Sequence, residues 1–283
     1  MEYSNPEIPE GINTTREHPL KEFTILLGGI LAVIIAIIII LSLAAEKLAV
    51  YIPFSVEQKL VAEQSTSAID THPEVTRYLQ QLADKLSSDM DLPTEMTISV
   101  HYLDQDIDNA YATLGGQVYI YRGLITQLRS ENALSMIIAH EIAHIKFRHP
   151  LIAMGRGVVV GLFLATLAGV SGDNVVGSIV NDTGVITLLS FNRKQERAAD
   201  AAALEAVDKY YGHVGGSEDL FRTLLALESK NPVHPPEFLS THPLNENRID
   251  NIDELAKKNN WPITGNLTAI PQDILEIVRY PDK

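Results

Sequence analysis

A run of 23 residues without a charged side chain extends from Phe23 to Ala45 and limits how this chain can fold. The run is dense in isoleucine and leucine, and it is bounded by Glu22 and Glu46. A helix of this length reaches roughly 34 Å at about 1.5 Å per residue, which is enough to cross a hydrocarbon layer of ~30 Å. We therefore predict a transmembrane anchor at residues 23–45 that contacts the lipid bilayer.

Two other interpretations of the run, a cleaved signal peptide and a buried core helix, fit less well. Residues 1–22 form a polar, net-acidic leader, whereas a signal peptide begins with basic residues and has a shorter apolar run. A core helix of this length would normally carry a polar stripe. The orientation stays open, because Arg16 and Lys21 before the run are balanced by Lys47 and Lys59 after it.

The charge and the absence of cysteine limit the chemistry available to the rest of the chain. The formal net charge is -14, from 36 acidic and 22 basic residues, and no cluster of lysine or arginine stands out, so nucleic acid is not an expected partner. Without cysteine the chain has no disulfides, no thiolate ligands and no cysteine nucleophile. Any bound metal must therefore be held by imidazole and carboxylate groups.

The apolar periodicity predicts that residues 46–283 form one mostly helical domain with a small sheet, an α+β fold. Thr71 and Glu74 have the spacing of a capping box, which predicts a helix from Thr71 to about Ser88. Alternating residues predict strands at 96–102 and 118–121. Further helices are predicted from Ser130 to before Pro150, and over residues 193–207, 217–230 and 245–259.

Two shorter stretches are not predicted to form a regular helix or strand of the domain. Residues 46–64 read as a connector that contains Pro53. The stretch 157–171 is uncharged, but it has only 15 residues and is interrupted by glycine. A hairpin in the core or at the membrane surface is therefore expected there rather than a second span.

One predicted helix carries the sequence His140-Glu141-Ile142-Ala143-His144. This spacing puts two imidazoles one turn apart on the same face, where both can bind one zinc ion. Glu141 borders that face, and its carboxylate can accept a proton from the attacking water. A five-residue pattern of this kind also arises by chance, but here its neighbours are small and apolar, as a buried metal helix requires.

A catalytic zinc ion usually has three protein ligands, and the downstream sequence offers Glu196 as the third. Asp200 lies four residues later on the same helical face, where it could accept a hydrogen bond from the far nitrogen of His140. Taken alone, this pair also reads as a solvated surface pair. His149 is a rival ligand, but on a continuous helix it would lie about 140° from His144, away from the site.

Together these motifs resemble those of the membrane-associated gluzincin peptidases, a family that includes the CAAX prenyl proteases and HtpX. The resemblance extends from about Val50 to Ile249. It implies a zincin-like metallopeptidase domain. The motifs that carry it are Pro53 with Glu57, Asn109 to Ala112 with Gly115-Gly116 and Gly123-Leu124, residues 140–144 with His149, the block 193–200, and residues 240–243 with Arg248.

The resemblance also implies roles for particular residues. Glu196 becomes the third zinc ligand and Asp200 its hydrogen-bonded neighbour, while His242 and Arg248 lie near the substrate carbonyl, where they would stabilise an oxyanion. It further implies that the strand from Gln117 to Tyr121 is an exposed edge on which an extended peptide lies. The expected substrate-binding residues are Gly116, Gln117, Val118 and Tyr119.

These observations predict an endopeptidase with one zinc ion per chain and Glu141 as general base, acting on membrane-associated or misfolded proteins. We expect a single-pass protein of the bacterial inner membrane, with the catalytic domain outside the cytoplasm. One alternative is a catalytically silent chaperone or adaptor module whose zinc is structural. Another is hydrolysis of a non-peptide amide or ester, which would use the same metal chemistry.

Overall fold

The computed structural model describes residues 18–62, 71–169, 191–230, 236–243 and 247–281, and over these residues the fold is mostly helical with one small sheet, as predicted. The strands are β1 (Ser99–Leu103), β2 (Ala110–Ala112) and β3 (Gln117–Tyr121). The helices are α1 (Pro19–Leu48), α2 (Phe54–Ala62), α3 (Pro73–Ser88), α4 (Arg122–Gln127), α5 (Glu131–Lys146), α6 (His149–Ala168), α7 (Arg193–Tyr211), α8 (Ser217–Lys230), α9 (Glu237–Thr241), α10 (Asn247–Asn259) and α11 (Gln272–Arg279).

The sheet has the strand order β1-β3-β2, which corrects one expectation from the sequence. The strand from Gln117 to Tyr121 was expected at an exposed edge, but it lies in the centre, parallel to β1 and antiparallel to β2. The expectation was wrong because β2 has only three residues, too few for alternation to reveal it. The edge nearest to α5 is therefore β2 and not β3.

Helix α5 forms the centre of the core. Its residues from Asn132 to Ile145 are all buried, as expected of a helix that is surrounded on every side by protein. Ser130 caps it as predicted, because its hydroxyl accepts a hydrogen bond from the N–H of Ala133 at 3.2 Å. Whatever chemistry α5 carries is thus held by a rigid element that is shielded from water.

Helix α7 packs closely against α5. Ala199 and Ala203 are fully buried, and side chains this small let two helices approach each other. A capping box fixes its start, because the Asn192 side chain accepts hydrogen bonds from Lys194 and Gln195 while Gln195 accepts one from the N–H of Asn192. Packing and capping together determine which α7 side chains face α5.

Helix α3 begins at Pro73 and not at Thr71, so the predicted capping box is wrong. Proline is favoured in the first turn because its φ angle is already helical and its missing N–H would have no partner there. The chain around Pro53 also differs from the expected connector, because residues 54–62 form helix α2.

Helices α1 and α6 pack against each other in antiparallel fashion. Ala45 lies beside Gly155 and Glu46 pairs with Arg156, whereas Ala49, just after the end of α1, clusters with Leu151, earlier in α6. No residue of the 30 in α1 is buried. The hairpin expected at 157–171 is wrong as far as Ala168, because α6 continues without a reversal, and residues 170 and 171 lie outside the described residues.

Within the described part of the chain, two helical segments are long and apolar enough to cross a membrane. They are Pro19–Tyr51, with a mean hydropathy of 3.2, and His149–Thr166, with 1.4. The first contains the predicted anchor at residues 23–45 and fits a membrane anchor.

A short joint connects α5 to α6. Arg148 occupies it with a φ of 59°, in the left-handed region that residues other than glycine rarely adopt. Its guanidinium is paired with buried Glu57 of α2, and it donates a hydrogen bond to the carbonyl of Ile52 at 2.9 Å. Glu57 also accepts a hydrogen bond from the N–H of Gly115 at 3.1 Å. The segment that follows α1 therefore clamps both the joint and the turn that precedes β3.

Candidate metal centre

The two imidazoles of α5 face one another in the core. The Nε2 atoms of His140 and His144 are 3.0 Å apart, and both side chains are almost completely buried. The one-turn spacing predicted from the sequence thus places two nitrogen donors side by side. The ring of Phe191 stacks on His144 with centroids 4.0 Å apart, which fixes the plane of this imidazole.

Glu196 reaches the same point from α7. One carboxylate oxygen is 3.5 Å from Nε2 of His140, and the other is 3.5 Å from Nε2 of His144. Glu196 is only 4% exposed, so the solvated surface pair considered in the sequence analysis does not describe it. The structure brings all three predicted ligands together.

His242, which directly follows α9, supplies a fourth donor. Its Nδ1 is 3.1 Å from Glu196 and 3.3 Å from Nε2 of His140. The ring stacks on Phe238, with centroids 4.5 Å apart, and is completely buried. Donor atoms of His140, His144, Glu196 and His242 all lie within 4.8 Å of one another.

The spacing and chemistry of these donors fit a zinc ion. Four ligands at about 2.0–2.1 Å from a tetrahedral ion are separated from each other by roughly 3.4 Å. Five separations among the histidine nitrogens and the Glu196 oxygens run from 3.0 to 3.5 Å. Imidazole and carboxylate donors are also those that zinc accepts when thiolates are absent.

Glu141 lies beside this cluster with a buried carboxylate. By strict geometry neither oxygen has a hydrogen-bond partner among the described residues, although one lies 3.4 Å from Nε2 of His242 and the backbone of Ala112 is close enough to lower the pKa of the carboxyl. Burial raises the pKa of Glu141, while neighbouring His242 and His140 act in the opposite direction. A buried carboxylate without partners is costly, so its presence here calls for a function.

Asp200 holds His140 from the far side of the ring. Its Oδ1 lies 3.0 Å from Nδ1 of His140, so the sequence-based pairing agrees with the geometry. Arg248 donates two hydrogen bonds to Asp200, at 2.7 and 3.0 Å, and also lies 2.9 Å from Glu196. The guanidinium therefore faces two carboxylates at the back of the cluster.

The electrostatics keep both carboxylates ionised. Burial alone would raise the pKa of Glu196 and of Asp200, but His242 and His140 lower that of Glu196, and Arg248 and His140 lower that of Asp200. Burial would lower the pKa of His140, yet its hydrogen bonds to Asp200 and Glu196 raise it to about 9. The cluster is therefore prepared for a cation, since a metal ion would replace the proton that these carboxylates attract.

His149 lies against the site, contrary to the sequence-based prediction. Its Nδ1 is 2.8 Å from Nδ1 of His144, on the ring side that faces away from Glu196. The prediction assumed a continuous helix, but the left-handed Arg148 ends α5 and starts α6 in a new direction. The signal available in the sequence was Pro150, which a helix accepts in its first turn but not in its interior.

Comparisons with known proteins agree with this geometry. The sequence profile of Peptidase family M48 matches residues 71–256, which is about two thirds of the chain and includes all four donors. The chain belongs to Peptidase family M48. This confirms the resemblance to the membrane-associated gluzincin peptidases that the motifs indicated.

Two relatives illustrate the match to the M48 family. The chain is 27% identical over 219 residues to the beta-barrel assembly-enhancing protease of Yersinia pestis, covering 72% of this chain and 42% of that protein. It is 25% identical over 199 residues to the mitochondrial metalloendopeptidase OMA1 of Schizosaccharomyces pombe, covering 70% of this chain and 58% of that protein. The chain therefore spans less than two thirds of the length of these relatives.

Proposed function

We propose that this protein is a zinc-dependent endopeptidase that hydrolyses peptide bonds of membrane-associated or misfolded proteins. The observation that carries the proposal is the position of Glu141. It is a buried carboxylate without a hydrogen-bond partner among the described residues, next to a cluster of donors spaced for one zinc ion. Membership of a peptidase family, and relatives named as protease and metalloendopeptidase, support the same activity.

Each residue receives a role from its contacts. We assign His140, His144 and Glu196 to one zinc ion, and Asp200 to the orientation of His140. A zinc ion held there would polarise the scissile carbonyl and lower the pKa of a bound water towards ~7. Glu141 takes the proton of the attacking water and passes it to the leaving amine.

Arg248 and His242 differ in what they can do. The guanidinium of Arg248 is already engaged by Asp200 and Glu196, so we assign it to positioning these carboxylates. Nε2 of His242 is 3.4 Å from Glu141 and points to the side of the cluster where the base lies. His242 is thus the better candidate for stabilising the oxyanion.

The edge of β2 is the better candidate for holding an extended peptide. The N–H of Tyr121 bonds to the carbonyl of Asn109 and that of Thr113 to the carbonyl of Gln117, so in this antiparallel pair the backbone groups of Ala110 and Ala112 point away from β3. Ala112 also lies close enough to Glu141 for its backbone to lower the pKa of that carboxyl. A substrate strand added there would pass the general base.

The chain's organisation is proposed on the same grounds. Residues 1–22 would be a polar leader, residues 23–45 the single transmembrane anchor and residues 46–283 the peptidase domain. We place the protein in the bacterial inner membrane with the domain outside the cytoplasm. Alkaline phosphatase fused after Lys283 should then be active in intact cells, and a reporter that works only in the cytoplasm should be inactive at the same position.

The first test is the variant Glu141→Gln in the full-length protein. It should keep one zinc per chain, because Glu141 is not a ligand, while cleavage of casein falls by about 10²–10⁴-fold. Glu205→Gln, on an exposed part of α7, is the matched control and should cleave like the unmodified chain. Unchanged cleavage by Glu141→Gln would refute its role as base, and an unmodified zinc-loaded chain that cleaves an ester but no peptide would favour the non-peptide hydrolase.

The four-donor cluster also supports a second candidate, a silent chaperone or adaptor with structural zinc. Structural zinc sites are closed by four protein ligands, and His242 is placed to be the fourth. The variant His242→Ala separates the two functions by metal content. We expect it to retain one zinc per chain through the three remaining ligands, whereas loss of zinc would identify a closed site.

A further inference from the structure

Helix α6 changes its surroundings along its length. Leu151, Ile152 and Ala153, near its start, are 5 to 7% exposed and lie within the domain. Further along, Val160 is 42% exposed and Leu164 is 56% exposed. A helix that leaves a core with large apolar side chains still uncovered requires something apolar around its outer half.

The change from buried to exposed side chains along α6 occurs next to one ion pair. Arg156 donates a hydrogen bond to Glu46 at 3.0 Å, which links α6 to α1. Both residues border uncharged stretches, since no charged residue lies between Phe23 and Ala45 or between Gly157 and Ala168. The two helices therefore pass from polar to purely apolar sequence at the same height.

The single hydroxyl in the outer half of α6 is compatible with hydrocarbon. The Oγ1 of Thr166 donates a hydrogen bond to the carbonyl of Leu162 at 2.8 Å, so it does not require water. Thr24 does the same in α1, where its Oγ1 donates to the carbonyl of Leu20 at 2.7 Å. These two threonines thus satisfy their hydroxyls in the same way, within their own helices.

We propose that the outer half of α6, residues 157–168, lies in the hydrocarbon of the bilayer that α1 crosses, with Arg156 and Glu46 at the surface. Lipid is the favoured occupant because this surface continues that of α1. Twelve helical residues rise about 18 Å, so α6 enters the layer of ~30 Å without crossing it. The proposal rests on α1 being the membrane anchor and does not depend on peptidase activity.

The chain offers a direct test because it has one tryptophan, Trp261. In a Trp261→Phe background, Leu162→Trp is compared with Ile263→Trp, since Leu162 and Ile263 are both 37% exposed. Each full-length variant is reconstituted in phosphatidylcholine vesicles with or without acyl-chain bromine, which quenches tryptophan by contact. Ile35→Trp, in the middle of α1, reports whether the anchor itself is inserted.

We expect brominated lipid to quench most of the emission of Leu162→Trp and Ile35→Trp and to leave Ile263→Trp unchanged. Depth gives a second readout. Val160 lies about 6 Å and Leu164 about 12 Å beyond Arg156, so bromine near the bilayer centre should quench Leu164→Trp more strongly than Val160→Trp.

Three outcomes would overturn the proposal. If Leu162→Trp behaves like Ile263→Trp while Ile35→Trp is quenched, α6 lies outside a bilayer that α1 does cross. If Leu162→Trp emission is shifted to the blue but not quenched, protein covers the surface, for instance a second copy of the chain. If Ile35→Trp is also unquenched, the anchor is wrong and the proposal falls with it, whatever a casein assay shows.

Discussion

Two helix pairs divide the tasks of this molecule, and their surfaces are opposite in character. In the α5–α7 pair the contact is buried on all sides and carries ionisable groups at its centre. In the α1–α6 pair the contact is narrow, and the uncovered surface beyond Glu46 and Arg156 is apolar. One pair thus buries ionisable groups at its centre, whereas the other leaves apolar side chains uncovered.

The two pairs require different surroundings. Ionisable groups in a core are stable when they bind each other or a metal ion, and Arg248 binds both Glu196 and Asp200. A continuous apolar surface of this kind favours contact with lipid or with another protein over contact with water. Substitutions should therefore affect the two pairs through different observables, metal content in one and lipid contact in the other.

The largest effect is expected when the ligand carboxylate between α5 and α7 is removed. Glu196→Ala should abolish zinc binding and lower the free energy of unfolding by about 3–5 kcal/mol, since it leaves Arg248 and the histidines without their shared carboxylate. Zinc analysis and chemical unfolding of the detergent-solubilised chain measure both. Glu205→Ala, where an exposed surface pair with Lys209 is lost, should change neither. Zinc retained by Glu196→Ala would contradict its place as a ligand.

A smaller effect should come from the packing between α5 and α7. Ala199→Leu adds bulk at a completely buried position and should cost about 1–3 kcal/mol, with weaker zinc binding because α7 is pushed away from α5. The same substitution at Ala36, on the exposed surface of α1, should change neither property. Equal effects at both positions would show that the two pairs do not differ as described.

The smallest effect, below about 1 kcal/mol, is expected at the joint between the pairs when the charge of Glu57 is removed but its shape is kept, and the alanine variant is its contrast. Glu57→Ala should cost about 2–4 kcal/mol, because it leaves the Arg148 guanidinium and the N–H of Gly115 without their partner. Glu57→Gln can still accept from Gly115, and it should cost less than about 1 kcal/mol. Thermal and urea unfolding would rank the two variants, and an equal loss would show that the charge dominates.

The pH dependence of the glutamine variant adds a control. Burial raises the pKa of Glu57 above its ordinary value of 4.5, although Gly115 and Arg148 act against this. The stability that the protonated carboxyl contributes is fully present below pH 4.5 and is lost as the pH rises through the folded-state pKa. Relative to the unmodified chain, Glu57→Gln should therefore gain stability as the pH rises through that interval.

The sequence predicted the parts of the site that depend on helical geometry. His140 and His144 had to share a face, and Glu196 and Asp200 had to share another, because a helix repeats every 3.6 residues. It did not predict His149 or the edge of β2. The first depends on a left-handed backbone at Arg148, and the second on a three-residue strand, neither of which produces a periodic pattern.

Helices α1 and α6 show the same limit of prediction from sequence. The strongly apolar run at residues 23–45 indicated an anchor by length alone, whereas α6 is half core and half exposed, so its average hydropathy identifies neither role. The start of α3 was misplaced because Pro73 overrides the capping signal of Thr71. Local rules failed where a tertiary contact or a competing local preference determined the backbone.

The short joint at Arg148 fixes the distance between the metal centre and the part of α6 that we place at the membrane surface. His149 holds His144 by a 2.8 Å contact, and α6 rises only about 10 Å between His149 and Arg156. With Arg156 at the surface of the hydrocarbon, the metal centre would lie at a fixed distance on the order of 15 Å from the level of Arg156. Peptide bonds would then be selected by their distance from the membrane, so that a membrane-anchored polypeptide would be cleaved close to the residues that enter the bilayer.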